Sequence, residues 1–244
     1  MSDLSWQQAR EIAGSLLAPE SAERIPIADA QGRTLAEPVS ALVDLPGFAT
    51  AAMDGWVVSG SGPWKVMGTI DTGTPASQAL RSQEAMRIAT GGAVPEGADA
   101  VIPWEIAQLD GSVVTAQIPD KLHIRPRGEE CVAGDVLAGR GDVVNPALLG
   151  SLAAAGIDEV LVYRMPTFAV LIVGDEVVET GIPGPGQVRD ALGVQLPGWI
   201  HAYGGRLTQI RRVADDADTL QSVLRSAIEH ADVVIATGGT ARGH

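Results

Sequence analysis

The sequence of 244 residues lacks several features that would assign it to common classes of protein. It has one cysteine, Cys131, so an internal disulfide cannot form. Only two of its 17 basic residues are lysines, and its 30 acidic residues give a formal net charge of −13. Nucleic acids and anionic membranes would repel a chain with this charge and no polybasic run, which argues against both as partners.

No segment has the length or composition of a membrane span or a secretory signal. The longest apolar runs, such as residues 168–173, are far shorter than the roughly 18 residues that a span needs. The first five residues have neither the basic nor the apolar region of a secretory signal. Apolar residues make up 45% of the chain and aromatic ones only 4%, which predicts a globular core of Ala, Val and Leu. We therefore expect a soluble, cytoplasmic protein.

The pattern of apolar residues divides the first part of the chain into a helix and a β region. Residues 4–17 predict a helix, and Ser5 and Gln8 form the pattern of a capping box at its start. Between residues 23 and 140, short apolar runs alternate with Gly, Pro, Ser and Asp. Regular short runs with turn residues between them predict a mostly β region.

The rest of the chain has the pattern of an α/β sheet. A short helix over 146–156 and a strand over 159–162 precede it. After residue 166, predicted strands alternate with predicted helices: strands 168–173, 207–213 and 232–237, and helices 190–203 and 216–230. This alternation predicts a parallel sheet. The chain stops shortly after the last strand, so we expect this α/β region to be truncated.

Two loops of the β region carry polar side chains next to glycine. Asp54 precedes Gly55, and Thr90 precedes Gly91. An Asp-Gly pair is commonly an ordinary turn. A glycine-rich turn after a strand either directs N–H groups at an anion or simply closes a hairpin. The residues alone leave these alternatives open.

A third polar segment, residues 125–130, mixes arginines with carboxylates. Arg127 offers a planar array of donors suited to phosphate or another oxyanion. The alternative is a solvated cluster whose ion pairs are complete among themselves and contribute little energy.

Several carboxylates follow the predicted strands of the α/β region. Asp175 and Glu176 come after the first strand, and Asp190, Asp215 and Asp216 lie in or near the same crevice. In open α/β sheets, ligands bind beyond the carboxyl ends of the strands. Converging carboxylates suit a hard cation, so we predict a Mg²⁺ site with ligands among Asp175, Glu176, Asp215 and Asp216. Taken alone, Asp216 is better explained as a helix N-cap.

Other catalytic arrangements are absent from the sequence. The four histidines have no metal-ligand spacing, which argues against a zinc site. A serine nucleophile elbow, a Walker A loop and a dinucleotide fingerprint are all missing. The sequence therefore gives little support to an ordinary hydrolase, a P-loop enzyme or a Rossmann dehydrogenase.

The polar segments, taken in order, resemble the molybdopterin molybdenumtransferase family, the group of MoeA and the gephyrin E domain. Each segment is weak evidence alone, but their common order over nearly the whole chain is specific. The matching segments are Gly32–Ala36, Asp44–Phe48, Ala52–Gly55, Arg87–Gly91, Val94–Val101, Arg127–Glu129, Gly174–Glu176, Asp215–Asp216 and Gly238–Gly239.

The resemblance implies a multidomain α and β fold. A discontinuous helical linker region would comprise residues 1–40 and 141–165, and a mostly β domain over 41–140 would be inserted into it. Residues 166–244 would form part of a parallel α/β domain that binds molybdopterin.

The resemblance also implies a reaction in molybdenum cofactor biosynthesis. Adenylylated molybdopterin would be hydrolysed with Mg²⁺ and release of AMP, and molybdate would be inserted into the dithiolene. The working form would be a homodimer, in which the β domain of one subunit closes the site of the other.

The resemblance assigns roles to residues of both regions. Catalytic roles would fall to Asp54, Thr90, Glu130 and Glu176. Asp190 and one of Asp215 and Asp216 would face the site from the α/β domain. The residues that would hold the pterin substrate are Asp190, Arg127, Gly238, Gly239 and Thr240.

Three departures from the family pattern keep an alternative open. Glu130 stands where the family has Asp, Ile172-Val173 replaces Ser-Thr, and Ala191-Leu192 replaces Thr-Asn. The alternative is a catalytically degenerate homologue that binds molybdopterin or serves as a dimerisation scaffold. A third interpretation is an unrelated two-domain protein that binds a sugar or a nucleotide.

Overall fold

A computed structural model describes residues 4–16, 18–75 and 78–238. The α-helices in these residues are α1 (Trp6–Ser15), α2 (Pro146–Ala154), α3 (Leu192–Ala202) and α4 (Ala217–His230), and Ile27–Asp29 and Trp104–Ile106 form short 3-10 helices. The first eleven strands are β1 (Ala22–Pro26), β2 (Val39–Ser40), β3 (Thr50–Ala51), β4 (Gly55–Val58), β5 (Trp64–Ile70), β6 (Glu84–Ile88), β7 (Ala100–Pro103), β8 (Gln108–Asp110), β9 (Val113–Thr115), β10 (Ile124–Arg125) and β11 (Val136–Ala138). The last six are β12 (Glu159–Tyr163), β13 (Thr167–Val173), β14 (Val177–Val178), β15 (Val188–Arg189), β16 (Arg206–Val213) and β17 (Val233–Ala236).

The chain folds into two compact units. The β unit consists of residues 38–138 and 147–158, and the α/β unit contains the chain up to Glu37, residues 139–146 and the chain from Glu159 onward. The fold class predicted from the sequence, a mostly β part and a partial parallel α/β part, is confirmed. The division into three regions at residues 40, 140 and 165 stays a prediction.

A six-stranded sheet forms the centre of the β unit. Its strand order is β7-β4-β6-β5-β9-β8, and within it β5 and β6 run parallel while the other neighbours are antiparallel. Val57 packs in one apolar cluster and Val58 in another, because successive side chains of a strand point to opposite faces. Both faces of β4 are therefore buried, which explains its unbroken apolar sequence.

The start of the α/β unit confirms the predicted capping box. The Ser5 side chain accepts a hydrogen bond from the Gln8 N–H, and the Gln8 side chain accepts one from the Ser5 N–H. The helix itself is shorter than residues 4–17. Strand β1 then pairs with β12 in antiparallel register.

A parallel sheet of order β16-β13-β17 forms the centre of the α/β unit, and β14 and β15 form a separate parallel pair. The central strand β13 is buried on both faces: Leu171 packs with Ala227 of α4, and Ile172 packs with Ile200 of α3. One helix thus covers each face, as the continuous apolar run of β13 predicts.

Two details of these helices could not be expected from residue composition. Pro197 lies inside α3 without interrupting it, and the helix continues from Leu192 to Ala202. In the last turn of α4, Ala227 is buried against the sheet, whereas the next residue, Ile228, is 61% exposed.

In the described part of the chain, no helix is both long enough and apolar enough to cross a membrane.

Candidate functional site

Asp54 and Thr90, predicted as catalytic residues, are in direct contact. The backbone N–H of Thr90 donates to Asp54 Oδ1 at 2.6 Å, and its hydroxyl donates to the same oxygen at 2.7 Å. The contact follows from the antiparallel pairing of β4 with β6, because Gly55 lies opposite Ile88 and the flanking loops meet. Both side chains belong to exposed residues, so a ligand can reach them.

The glycines beside this pair have different roles. Gly55 is a strand residue rather than part of a turn, and a Cβ there would lie 2.0 Å from the carbonyl oxygen of Ile102. Gly55 therefore permits the close approach of β4 and β7. Gly91 has φ of +80°, a left-handed conformation that favours glycine and turns the chain directly after Thr90. The simple Asp-Gly turn is thus wrong, and the turn lies at Gly91.

The hydrogen bonds from Thr90 lower the pKa of Asp54. The backbone N–H is the largest cause, the hydroxyl is the second, and the positive charge of Arg87 adds to them. Asp54 is therefore a carboxylate at neutral pH. Within the described residues both hydrogen bonds end on Oδ1, and none ends on Oδ2.

Arg87 and Trp104 are neighbours of Asp54 that the sequence analysis did not assign to the site. The guanidinium of Arg87 lies 4.8 Å from the centroid of the Trp104 ring, a cation–π contact. The backbone N–H of Trp104 donates to the Asp54 carbonyl oxygen at 3.4 Å. Arg87 stands three residues before Thr90 in a matched segment, which was an available signal. No such signal marks Trp104.

Arg127 is paired within the protein. Its Nε lies 2.5 Å from Asp44 Oδ2, and the Ala133 N–H donates to Oδ1 of the same carboxylate at 2.8 Å. The Ala133 bond is the larger cause of the lowered pKa of Asp44, and Arg127 is the second. The partner of Arg127 thus lies outside the segment 125–130, and no ion pair joins two residues of that segment among the described salt bridges. The pterin-binding role of Arg127 stays a prediction.

Glu130 is exposed, and its backbone N–H donates to the Leu45 carbonyl at 2.8 Å. No hydrogen bond or ion pair joins its side chain to Asp54 or Thr90 in the part of the chain that the structure describes. Its catalytic role stays a prediction.

The predicted carboxylates of the α/β unit lie just beyond the carboxyl-terminal ends of its strands, which we call the edge of the sheet. Val173 lies opposite Val213 in the pairing of β13 with β16, so Asp175 and Asp215 each follow two residues later. The Glu176 carboxylate folds back over Gly174. Asp175, Glu176 and Asp215 are exposed, and the structure brings them to the carboxyl-terminal edge as predicted.

Gly238 reaches the same edge after β17. The Thr237 hydroxyl accepts a hydrogen bond from the Val173 N–H at 3.1 Å, and a Cβ at Gly238 would lie 3.9 Å from the Val173 side chain. The other two members of the predicted phosphate turn, Gly239 and Thr240, lie outside the described residues.

Asp190 is buried, with 4% of its surface exposed, and both of its carboxylate oxygens are engaged. Oδ1 accepts from the Gly193 N–H at 2.7 Å, at the start of α3, and Oδ2 lies 2.7 Å from Arg212 Nη2. The other terminal nitrogen of Arg212, Nη1, lies 3.4 Å from Glu179 Oε1. Arg212 is a partner that the sequence did not reveal, because it stands 22 residues away in an unremarkable strand.

Asp216 is the N-cap of α4, which is the simpler of the two roles considered for it, a helix cap and a ligand of Mg²⁺. Its side chain accepts a hydrogen bond from the Thr219 N–H at 2.8 Å, and bonding to Thr219 lowers its pKa. Asp215, its neighbour, is also exposed, and which of the two carboxylates faces a ligand stays a prediction. Within residues 4–16, 18–75 and 78–238, no three His, Cys, Asp or Glu side chains form a group able to hold a metal ion.

Comparisons with known families cover nearly the whole chain. Residues 4–156 match the MoeA N-terminal region (domain I and II), and residues 169–244 match a probable molybdopterin binding domain.

Individual proteins show the same similarity. The molybdopterin molybdenumtransferase 1 of Mycobacterium tuberculosis is 31% identical over 267 residues, covering 98% of this chain and 62% of the relative. The molybdopterin molybdenumtransferase of Staphylococcus aureus is 32% identical, covering 86% of this chain and 53% of the relative. The crystal structure of a molybdopterin biosynthesis moeA protein from Pyrococcus horikoshii matches with a TM-score of 0.81 at 26% identity, covering 94% of this chain and 65% of that one. The chain thus spans less than two thirds of the length of each.

Proposed function

The chain belongs to the MoeA family, and from this premise we propose that it acts in molybdenum cofactor biosynthesis as a molybdopterin molybdotransferase. The proposed substrates are adenylylated molybdopterin and molybdate, and the proposed products are the molybdenum cofactor and AMP. The names of the relatives support this reaction class.

The contact between Asp54 and Thr90 is the observation that carries the proposal. Two donors fix one oxygen of an ionised, exposed carboxylate and leave Oδ2 for a reactant. We infer that Oδ2 accepts a proton from the water that attacks the pyrophosphate bond of the substrate. Thr90 then acts as a positioning residue, because it fixes the orientation of the base.

The α/β unit would hold the substrate by its phosphates. Asp175, Glu176 and Asp215 supply hard oxygen donors at one sheet edge, although they do not form a closed three-ligand group. Mg²⁺ is commonly bound by one or two carboxylates together with substrate phosphates. The residues present therefore fit an ion that enters with the substrate, and when bound it would offset the charge of the pyrophosphate oxygens. We propose Gly238, Gly239 and Thr240 as the turn next to these phosphates.

The alternative of a degenerate pterin-binding homologue loses part of its basis. Ile172 is 2% exposed and packs in the core against Ile200, so a hydroxyl at this position would not face the sheet edge. Leu192 is the first residue of α3, and the first turn of this helix already donates a hydrogen bond to Asp190 through the Gly193 N–H. The active enzyme is therefore the preferred proposal.

We further propose that the working form is a cytoplasmic homodimer in which the Asp54 site of one subunit closes the sheet edge of the other. The two sets of predicted residues lie in separate units, and among the described residues neither set contains three side chains grouped to hold a metal ion. Small-angle scattering tests this proposal directly: a compact monomer that retains activity would contradict it.

The reaction is tested by incubating the chain with adenylylated molybdopterin, Mg²⁺ and molybdate and measuring AMP. We expect AMP release by the wild type and its loss in Asp54→Asn, which keeps the shape of the side chain. Asp110→Asn is the matched control, because Asp110 is an exposed aspartate of the same unit on the edge strand β8. Tight pterin binding without AMP release would favour the binding module instead.

A further inference from the structure

A hollow of about 360 Å³ lies in the α/β unit, at the amino-terminal ends of its parallel strands. Pro166 and Asp232, which immediately precede β13 and β17, both line it. Because the strands of this sheet run parallel, the hollow lies at the other end of the strands from Asp175 and Asp215. Its volume is within the range of small-molecule sites, roughly 300–1,000 Å³. The hollow is therefore a candidate binding site apart from those carboxylates.

Arg33 brings an unused hydrogen-bond donor to this hollow. Its Nη2 donates to Glu23 Oε1 at 2.5 Å and to the Tyr163 carbonyl oxygen at 2.8 Å, so the guanidinium is held in place. The Arg33 side chain is only 12% exposed. Its Nε atom is buried and has no hydrogen-bond partner in the part of the chain that the structure describes. A buried donor without an acceptor costs free energy, so this position favours a ligand that brings an acceptor.

The charged side chains that line the hollow cancel one another. Arg164 Nη2 lies 2.5 Å from Glu20 Oε2 and 2.9 Å from Asp232 Oδ1. The bond to Asp232 is the largest cause of the raised pKa of Arg164, and the same bond is the largest cause of the lowered pKa of Asp232, so both stay charged. With Arg33, the lining holds two positive and two negative groups. In a chain of net charge −13, a hollow without net charge does not attract an anion, which favours a neutral ligand.

Glu20 keeps one carboxylate oxygen for a ligand. Arg164 contacts Oε2, and no hydrogen bond from another described residue ends on Oε1. Glu20 and Arg33 both line the hollow, so it offers an acceptor as well as a donor.

Tyr203 supplies an aromatic ring to the lining at the end of α3. It is 82% exposed, and its ring stacks against Trp199 with 5.9 Å between the centroids and 16° between the planes. Phe168 is another aromatic residue of the lining, whereas Gly32 and Gly204 place no side chain in the hollow. Aromatic side chains bind flat rings by stacking, so this lining favours a planar ligand.

We propose that this hollow binds a neutral purine, as the free base or as the nucleoside. Proteins recognise such bases by stacking and by hydrogen bonds to the base edge, where adenine and hypoxanthine each present an acceptor next to an N–H donor. The acceptor would meet Arg33 Nε, the N–H would donate to Glu20, and the ring would stack on Tyr203. This binding goes beyond the proposed reaction and does not depend on it.

The experiment is calorimetric titration of the folded 244-residue chain with adenosine and, separately, with inosine. We expect both to bind with a dissociation constant below about 1 mM. Tyr203→Leu is expected to weaken binding by at least about fivefold, because the stacking of the base on an aromatic ring is lost. Trp6→Leu is the matched control, because Trp6 is an exposed aromatic residue of the same unit that does not line the hollow. The control is expected to bind like the wild type.

A second variant and a modified ligand test the two hydrogen bonds. Arg33→Lys keeps a positive charge opposite Glu23 and lacks the Nε donor, so we expect binding at least about fivefold weaker than in the wild type. The ligand 1-methylinosine keeps the acceptor and lacks the neighbouring N–H that would donate to Glu20. It is expected to bind the wild type at least about fivefold more weakly than inosine does.

Failure of the wild type to bind either nucleoside below about 1 mM would overturn the proposal. Equal binding by Tyr203→Leu and Trp6→Leu would also overturn it, because the nucleoside would then bind elsewhere. Unchanged binding by Arg33→Lys would show that Nε has no part in recognition and would contradict the proposed site. Asp54→Asn separates this proposal from the proposed function: it is expected to lose AMP release and to bind adenosine like the wild type.

Discussion

Asp54 in the β unit and Asp190 in the α/β unit are both fixed by two donors, but the donors act differently. Asp54 receives two neutral donors from Thr90 on a single oxygen and is exposed. Asp190 is buried, and its oxygens are divided between a backbone N–H and the guanidinium of Arg212. The first arrangement orients a carboxylate and leaves an oxygen for chemistry. The second uses up the carboxylate to join α3 to β16.

The largest expected effect concerns the backbone that positions Asp54. Gly55→Ala would place a Cβ 2.0 Å from the Ile102 carbonyl oxygen, so β4 and β7 would have to separate. We expect a loss of about 3 kcal/mol in the free energy of unfolding, measured by urea denaturation. Gly47→Ala is the control, because its Cβ would meet only the Asp44 carbonyl at an ordinary 3.7 Å. Equal stability of the two variants would contradict the close approach.

The next effect tests whether Asp190 is a structural carboxylate. Arg212→Met would leave the buried Asp190 carboxylate with a single donor, the backbone N–H of Gly193. We expect this to lower the free energy of unfolding by about 2 kcal/mol. Asp54→Asn, in contrast, is expected to leave the unfolding midpoint nearly unchanged, because Asp54 is exposed. The comparison fails if denaturation shows the two variants to be equally destabilised.

A smaller effect concerns the bond that orients Asp54. Thr90→Val removes the hydroxyl donor and keeps the backbone N–H, so we expect about a tenfold loss in kcat/KM for AMP release. The pKa of Asp54 is held low by Thr90, and the ionised form persists as the pH falls. The variant loses that form sooner, so the acid limb of its pH–rate profile moves to higher pH. Thr90→Ser should restore both the rate and the profile.

The smallest effect tests whether Glu130 belongs to the same site. Glu130→Asp shortens the side chain by one methylene and restores the residue that the family has there. We expect a rise of about threefold in the rate of AMP release, because the shorter side chain would align its carboxylate better with the substrate. We expect no change in stability. An unchanged rate would remove Glu130 from the proposed catalytic residues.

The spacing of apolar residues predicted the helices and strands, because the side chains that face the core recur at regular intervals along each of them. The apolar run of β13 indicated a strand covered on both faces, and the Ser5–Gln8 pattern indicated a capped helix. Contacts between distant residues were not predictable in this way. Thr90 meets Asp54 across 36 residues, and only the family resemblance brought them into one site.

Some contacts could not be predicted from the local sequence, for physical reasons. The Asp54-Gly55 pair has the composition of a turn, but Gly55 is needed for close strand packing, which no local pattern reveals. Arg127 has the donors for a phosphate, and one of them, Nε, is paired with Asp44, which lies 83 residues away. Sequence order alone likewise could not show the ion pair between Asp190 and Arg212. The substrate-binding roles of Arg127 and Asp190 stay predictions.

The stacking of Arg87 on Trp104 places a tryptophan, whose fluorescence can be measured, beside the Asp54 site. A guanidinium 4.8 Å from an indole ring influences its fluorescence, and this indole is partly exposed beside the carboxylate. An anionic substrate that draws Arg87 away would change the emission of one of the five tryptophans. We therefore expect the tryptophan emission to change when such a ligand binds, and Trp104→Phe should abolish that change.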